Sequence, residues 1–271
     1  MRPVIFIFFT VLTFSCIEST PVKNMSQINH DTINCKLVQA TVYQQMAAEK
    51  DALAYQAFNL AKRQLAINIK KADKSMPLAI ITDLDETMID NSGVYGDFIY
   101  SDQDYPSEDW KNWQISGKAK AVAGAVEFMK YADERGVEIF YISNRPIDLL
   151  DATMKNITYK GFPLKDKNHL LLKTDSDSKE GRREMVMENY NVIMLLGDNL
   201  GDFTDVFDGV PSEGRKEVLE RIKYDLGTKY IILPNVLYGG WLSSLENDYN
   251  DLSTKERYNV MLDKLIRSGN R

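Results

Sequence analysis

The chain has 271 residues, 44% of them apolar and 27% charged, with a formal net charge of −6. That composition excludes a disordered chain and suffices to bury the core of one large domain, or of a domain with a cap. The acidic balance gives no reason to expect a nucleic-acid polymer as partner, and no repeat or low-complexity tract is visible.

Arg2 is followed by the apolar run 4–12, too short to span a membrane and of the length of a signal-peptide core. The run closes on Ser15-Cys16, which resembles a lipoprotein processing site where the cysteine is lipidated and becomes the new N-terminus. Phe14 is bulkier than is usual there, and a plain signal peptide cleaved nearby is the alternative. Removing residues 1–15 takes away only Arg2, leaving 32 basic against 39 acidic side chains, a charge of −7. With Cys16 acylated, Cys35 has no intramolecular partner; a Cys16–Cys35 bridge requires a free Cys16. The organisation expected is a signal peptide over 1–15, a polar tether over 16–34 and one folded domain over 35–271.

From 35 to 71 the apolar positions Val38, Val42, Met46, Leu53, Ala57, Leu60, Ala61, Leu65 and Ile69 recur every three or four residues without Gly or Pro, which predicts a long helix. Leu78 to Ile81 reads as a buried strand that stops at Asp83-Leu84-Asp85-Glu86-Thr87. An irregular insertion over 92–118 follows, rich in Asp, Gly, Tyr and Trp, and its length after a strand predicts a functional role. A helix over 121–135, closed by Gly136, leads to the strand 137–142, which runs into Ser143-Asn144-Arg145. A helix over 148–159 precedes Leu170-Leu171-Leu172, then Lys179 with Arg182 and Arg183, and a short helix over 181–190. The strand 191–196 ends in Gly197-Asp198-Asn199, with Asp202 four residues past Asp198. A helix over 213–224, the strand 230–233 closed by Pro234, and a helix over 252–267 complete the chain. Strand–helix alternation of this kind predicts an α/β fold with a parallel sheet, whose strand C-termini are where ligands bind.

Two carboxylates at such a strand end repel each other, and a hard divalent cation between them relieves the repulsion. Alone, an Asp-x-Asp is as common in ordinary turns; the ordered set of acid pair, hydroxyl, lysine and acid pair is specific. These four segments resemble the four motifs of the haloacid dehalogenase superfamily of phosphohydrolases. The stretches 83–92 and 197–203 resemble the class C non-specific acid phosphatases, a bacterial lipoprotein group that includes an outer-membrane 5'-nucleotidase. The segment 51–62, Trp110 and Trp113, Leu233-Pro234-Asn235 and Tyr238-Gly239-Gly240-Trp241 extend the resemblance over residues 36–245. It implies a doubly wound parallel sheet with a small helical layer, made by helical segments at 35–72 and 250–267 that pair with each other. It also implies an exported lipoprotein of the outer membrane, or else a periplasmic or secreted enzyme; pairing as a homodimer is left open.

Hydrolysis of a phosphate monoester requires charge neutralisation, in-line positioning and help for the leaving oxygen. Asp83 is the expected nucleophile, giving an acyl phosphate that water cleaves. Asp85 is the expected general acid and base, with a pKa raised by neighbouring carboxylates. One Mg²⁺ per chain is expected on Asp83 and Asp198, with the Asp85 carbonyl oxygen as third ligand by resemblance and Asp202 holding a metal-bound water. Ser143, with Asn144, and Lys179 are expected to hold the phosphoryl group; a hydroxyl capping the next turn is an equal reading of Ser143. Lys173 is the rival of Lys179, which the spacing Ser178-Lys179-x-x-Arg182 favours by resemblance. Trp110 and Tyr238 are expected by resemblance to stack on a nucleobase or other planar group of the substrate, whereas Trp113 and Trp241 read as loop anchors, and Arg182 and Arg183 as solvated or supporting residues.

The expected substrates are small phosphomonoesters, nucleoside 5'-monophosphates among them. Only His30 and His169 exist, so no Arg-His-Gly phosphatase motif or histidine-rich dinuclear site is available; Thr41 rules out a Cys-x5-Arg loop at Cys35, and no Gly-x4-Gly-Lys-Ser/Thr is present. A phosphotransferase on the same fold, or a surface binding lipoprotein with a decayed site, remain as alternatives. The intact acids at 83, 85, 198 and 202 argue against the latter.

Overall fold

The apolar run before Asp83 forms the middle strand of a sheet. The computed structural model describes residues 34–101 and 107–266, so the signal segment, Cys16 and nearly all of the expected tether lie outside the described residues. In chain order these form α1 (Asn34–Met46), α2 (Ala48–Lys71), β1 (Leu78–Thr82), β2 (Ile89–Asp90), α3 (Ser92–Ser101), α4 (Ser107–Ser116), β3 (Lys120–Ala121), α5 (Ala125–Asp133), β4 (Glu138–Pro146), α6 (Leu150–Tyr159), β5 (Leu170–Lys173), α7 (Glu180–Met187), β6 (Asn191–Gly197), α8 (Ser212–Ile222), β7 (Tyr230–Ile232), α9 (Gly240–Ser243) and α10 (Thr254–Asp263).

The five long strands pair in the order β5-β4-β1-β6-β7, all parallel. Side chains of a strand alternate between faces, and both faces are covered here. Ile80, Ile139, Tyr141, Met194 and Leu196 pack with Ala54, Phe58, Ala61 and Leu65 of α2, Phe128 and Met129 of α5 and Ile157 of α6. Ala79, Ile81, Phe140, Ile142 and Leu195 pack on the other side with Val186 of α7 and Phe203. Two-sided burial is why these strands are continuously apolar. The expected α/β fold with a doubly covered parallel sheet is the one found.

Three local expectations are corrected. The long helix breaks at Ala47, whose backbone is extended (φ −77°, ψ 121°). The break lets α1 lie on α3 while α2 lies on α5 and the sheet, a tertiary demand that local propensity does not record. Accordingly the buried seam of α2 is Ala54, Phe58, Ala61 and Leu65, while Val38, Val42, Met46, Leu53 and Leu60 are exposed. The insertion 92–118 is not irregular but carries α3 and α4; Gly93 is tolerated inside α3 because a Cβ there would lie 2.7 Å from the Trp113 ring. Finally, α10 has no buried residue and does not pack as a pair with α1 or α2. It starts at a capping box between Ser253 and Glu256, and Lys264 just beyond it donates to Glu213 of α8 at 2.6 Å.

Candidate active site

Parallel topology puts the C-terminal ends of β1, β4 and β6 side by side, so Asp83, Ser143 and Asp198 converge although they lie as many as 115 residues apart in sequence. Asp83 follows β1 and its backbone N–H donates to the Leu196 carbonyl at 2.9 Å, which anchors it between β1 and β6. Asp83, Asp198 and Asp202 each offer a carboxylate oxygen, all within 4.8 Å of one another. Thr87 Oγ1 lies 2.9 Å from Asp83 Oδ2 and 3.1 Å from Asp198 Oδ1. Asn235 Nδ2 donates to Asp198 Oδ2 at 2.8 Å.

Gly197 makes this cluster possible. A Cβ there would lie 2.4 Å from both Cβ and Oδ2 of Asp202, so only glycine lets the Asp202 side chain fold back over the strand end. Asp202 is held there by the Asn199 N–H, which donates to its Oδ2 at 2.9 Å, as half of a capping box. Arg183, fully buried on α7, donates to the Gly201 carbonyl at 2.7 Å and braces the same turn from beneath.

Lys179 lies just before α7 and is 8% exposed. Its Nζ donates to Asp83 and, at 2.6 Å, to Asp202. Lys173 instead pairs with Asp177 at 2.8 Å on the surface. One cation among several carboxylates leaves excess negative charge. Burial, opposed by Lys179 and reinforced by Asp202 and Asp85, pushes Asp83 up to about 6. Burial together with Asp202 and Asp83 drives Asp198 well above the usual carboxylate range. Burial disfavours the Lys179 charge, but Asp202 and Asp83 outweigh it and raise its pKa. Three hard oxygen donors carrying uncompensated negative charge have the donor chemistry of a divalent metal site.

Asp85 departs from expectation. Its carboxylate turns away from the cluster toward Arg145, whose Nε and Nη2 fork onto both of its oxygens at 2.8–3.1 Å. Ser143 Oγ at 3.1 Å and Asn91 Nδ2 at 2.8 Å also donate to it. Burial works to raise the Asp85 pKa, but Arg145 with these hydrogen bonds outweighs it and holds the group below the usual range. The raised pKa expected from neighbouring acids is thus reversed by a buried arginine. Ser143 spends its proton on Asp85, and its Oγ accepts from the Arg145 N–H at 3.1 Å. Asn144, at the pocket wall, accepts from Arg182 at 2.6 Å and donates to the Asp177 carbonyl at 2.8 Å.

Glu86 and Asn91 tie this centre to an aromatic rim. Glu86 is buried in the left-handed region (φ 62°), a conformation that costs a non-glycine residue about 1–3 kcal/mol and must be held by its surroundings. It accepts from the Asn91 N–H at 2.8 Å, Asn91 Nδ2 at 2.9 Å and the Tyr238 hydroxyl at 2.6 Å. Burial and the charge of Asp85 push Glu86 up to about 8 against these hydrogen bonds. Asn91 Oδ1 accepts in turn from Trp113 Nε1 at 2.9 Å, fastening α4 to the strand end. Tyr238 stacks on Tyr95 at 5.9 Å, and Trp110 meets Tyr238 edge-on at 6.3 Å. Both Trp110 and Tyr238 line the same pocket, of about 410 Å³, as Asp83, Asp85, Lys179, Asp198 and Asp202. Trp241 stands 44% exposed, its Nε1 on the Tyr238 carbonyl at 3.2 Å.

Sequence reasoning missed Arg145, Asn91, Glu86, Thr87 and Asn235 as site residues. Arg145 carried the one usable signal, a cation two residues after a strand-end hydroxyl in an acid-rich site.

The profile of the HAD (haloacid dehalogenase) superfamily, subfamily IIIB (acid phosphatase), matches residues 11–241. The class C acid phosphatase from Bacillus anthracis is 36% identical; the match covers 86% of this chain and 98% of that one, with a TM-score of 0.82. A second structure of the Bacillus anthracis enzyme, with tungstate bound, is also 36% identical, with 87% and 98% coverage and a TM-score of 0.83. Acid phosphatase 1 of Solanum lycopersicum is 25% identical over 130 residues, 45% of this chain, and the match spans 50% of the tomato protein's length. The chain belongs to the class C acid phosphatases, within subfamily IIIB of the HAD superfamily.

Proposed function

We propose that the protein hydrolyses small phosphomonoesters, nucleoside 5'-monophosphates among them, through a phosphoaspartate on Asp83, with one Mg²⁺ per chain. The observation that carries the reading is Asp83 itself: a buried carboxylate at the end of the central strand, oriented by Lys179 and Thr87, two residues from a second carboxylate held in a different environment. The Bacillus anthracis enzyme has been seen with tungstate bound, a tetrahedral oxyanion like phosphate, which is in keeping with a phosphoryl substrate.

Asp83, Asp198 and Asp202, with the Asp85 backbone carbonyl, are the residues that would hold Mg²⁺, which when bound offsets the charge of the carboxylates and the phosphoryl group. Asp83 attacks phosphorus while Asp85 gives its proton to the leaving alkoxide; Asp85 then takes a proton from the water that cleaves the acyl phosphate. Lys179 neutralises the phosphoryl oxygens, Ser143 and Arg145 keep Asp85 in place for the proton transfer, and Asn144 lines the pocket beside them. Because Arg145 holds Asp85 low, its acid form is populated only in acid, and an acidic optimum follows. Trp110 and Tyr238 hold the leaving group by stacking. At the N-terminus, acylation of Cys16 would tether the enzyme to the outer membrane. No helix among the described residues is long and apolar enough to cross a membrane.

Phosphate release from an aryl phosphate and from a nucleoside 5'-monophosphate, in Mg²⁺ and in excess chelator across pH, tests the proposal. Activity should need Mg²⁺ and fall toward alkaline pH; full activity in chelator, or an optimum well above neutrality, contradicts it.

A further inference from the structure

Among the described residues three cationic side chains line the pocket, and two of them are committed. Lys179 is paired with Asp83 and Asp202, and Arg145 with Asp85. The third, Arg215 in the first turn of α8, forms no salt bridge among the described residues. Among the described residues its side chain makes one hydrogen bond, from Nη1 to the Phe207 carbonyl at 3.3 Å, and Nη2 and Nε have no acceptor there. The guanidinium is nonetheless held in place: it sits over the Phe207 ring, 5.3 Å from its centre, and a Cβ at Gly240 would lie 3.2 Å from its Nη2. Gly240 is two residues beyond Tyr238 and lines the same pocket, which puts Arg215 on the Tyr238 side of that pocket, where the proposed function seats the leaving group. The wall is otherwise rich in aspartates, and partial burial depresses the Arg215 pKa while Asp208 works to raise it. A fixed, half-desolvated guanidinium with two unused donor nitrogens has the geometry of a bidentate oxyanion contact.

We propose that Arg215 is an anion subsite for a second phosphate on the leaving portion of the substrate, so that a nucleoside 3',5'-bisphosphate is preferred to the corresponding 5'-monophosphate. The inference rests on the phosphomonoesterase reading above, with the 5'-phosphate at Asp83 and the 3'-phosphate at Arg215. A charge-assisted contact of this kind is worth about 10- to 100-fold in kcat/KM.

The test compares kcat/KM for a nucleoside 3',5'-bisphosphate, its 5'-monophosphate and an aryl phosphate, with the full-length Mg²⁺ enzyme, its Arg215→Gln variant and its Arg215→Lys variant. The wild type should favour the bisphosphate; Arg215→Gln should bring the bisphosphate-to-monophosphate ratio to about one, and Arg215→Lys should keep part of the preference. A wild-type ratio of one or less, a ratio unchanged in Arg215→Gln, or equal losses on all three substrates would overturn the proposal, the last because the arginine would then serve the reacting phosphate. Calorimetric binding of the two nucleotides to the same proteins reports the same ratio without turnover. A protein that released no phosphate from any substrate would therefore sink the phosphatase reading and still decide this one. Should Arg215→Gln fail to fold, the wild-type ratio and Arg215→Lys decide it.

Discussion

Replacing Lys179 by methionine keeps most of the side-chain volume and removes a buried cation paired with both Asp83 and Asp202. Removing one partner of a buried ion pair costs about 3–5 kcal/mol, because the other charge stays buried and unpaired. At about 2–4 °C per kcal/mol for a domain of this size, the melting temperature should fall by about 6–20 °C in chelator at pH 7.5. The pH dependence has a definite sign. Asp83 already titrates near 6, above its ordinary 3.8, so between these values the folded state binds more protons than the unfolded state and stability falls as pH rises. Loss of Lys179 raises that pKa further, so the gap between variant and wild type should be narrow near pH 4–5 and widen above about 6. Added Mg²⁺ should narrow it again by binding the folded state. Circular dichroism melts at both pH values, with chelator and with Mg²⁺, supply the numbers. A variant within a degree or two of wild type in chelator at pH 7.5 would refute the charge balance drawn here.

Trp110→Ala and Tyr238→Ala should each weaken use of a nucleoside 5'-monophosphate by about 5- to 150-fold in kcat/KM, the worth of one stacked base, and use of a small alkyl phosphate much less. Equal losses on both substrates would mean that the rings only brace the loops. Gly197→Ala should nearly abolish activity and Mg²⁺ affinity, since the new methyl group falls where Asp202 now lies; a variant that binds Mg²⁺ as the wild type does, by calorimetry, would contradict this. Cys16→Ser should release the protein from membranes with catalysis intact, and continued membrane fractionation without incorporation of labelled fatty acid would remove the anchor.

What could be read in the sequence is what depends on local pattern. Apolar runs ending in acids located β1 and β6, and parallel topology then obliged Asp83 and Asp198 to meet. The resemblance of Ser178-Lys179-x-x-Arg182 to the family motif picked out the lysine that reaches the cluster over Lys173, which the structure leaves on the surface. Features that depend on partners distant in sequence were not legible. The fork of Arg145 on Asp85 joins residues 60 apart, and it reverses the pKa that neighbouring acids alone suggest. The Glu86–Tyr238 bond joins residues 152 apart. The break at Ala47 has no Gly or Pro to announce it, because it answers to α3 and α5 and not to its own residues. The same holds for α2, whose buried seam takes in Ala54 in place of the more conspicuous Leu53 and Leu60.

The central claim is that Asp83 carries the phosphoryl group. Its most direct test is an acid quench of the Mg²⁺ enzyme during turnover of a substrate labelled in its phosphoryl group, followed by mapping of the protein-bound label. The label should appear on the peptide containing Asp83, be lost in alkali as an acyl phosphate is, and be absent from Asp83→Asn, whose near-isosteric amide cannot attack phosphorus. Label on another residue, or more than a few per cent of wild-type turnover in Asp83→Asn, would contradict the mechanism.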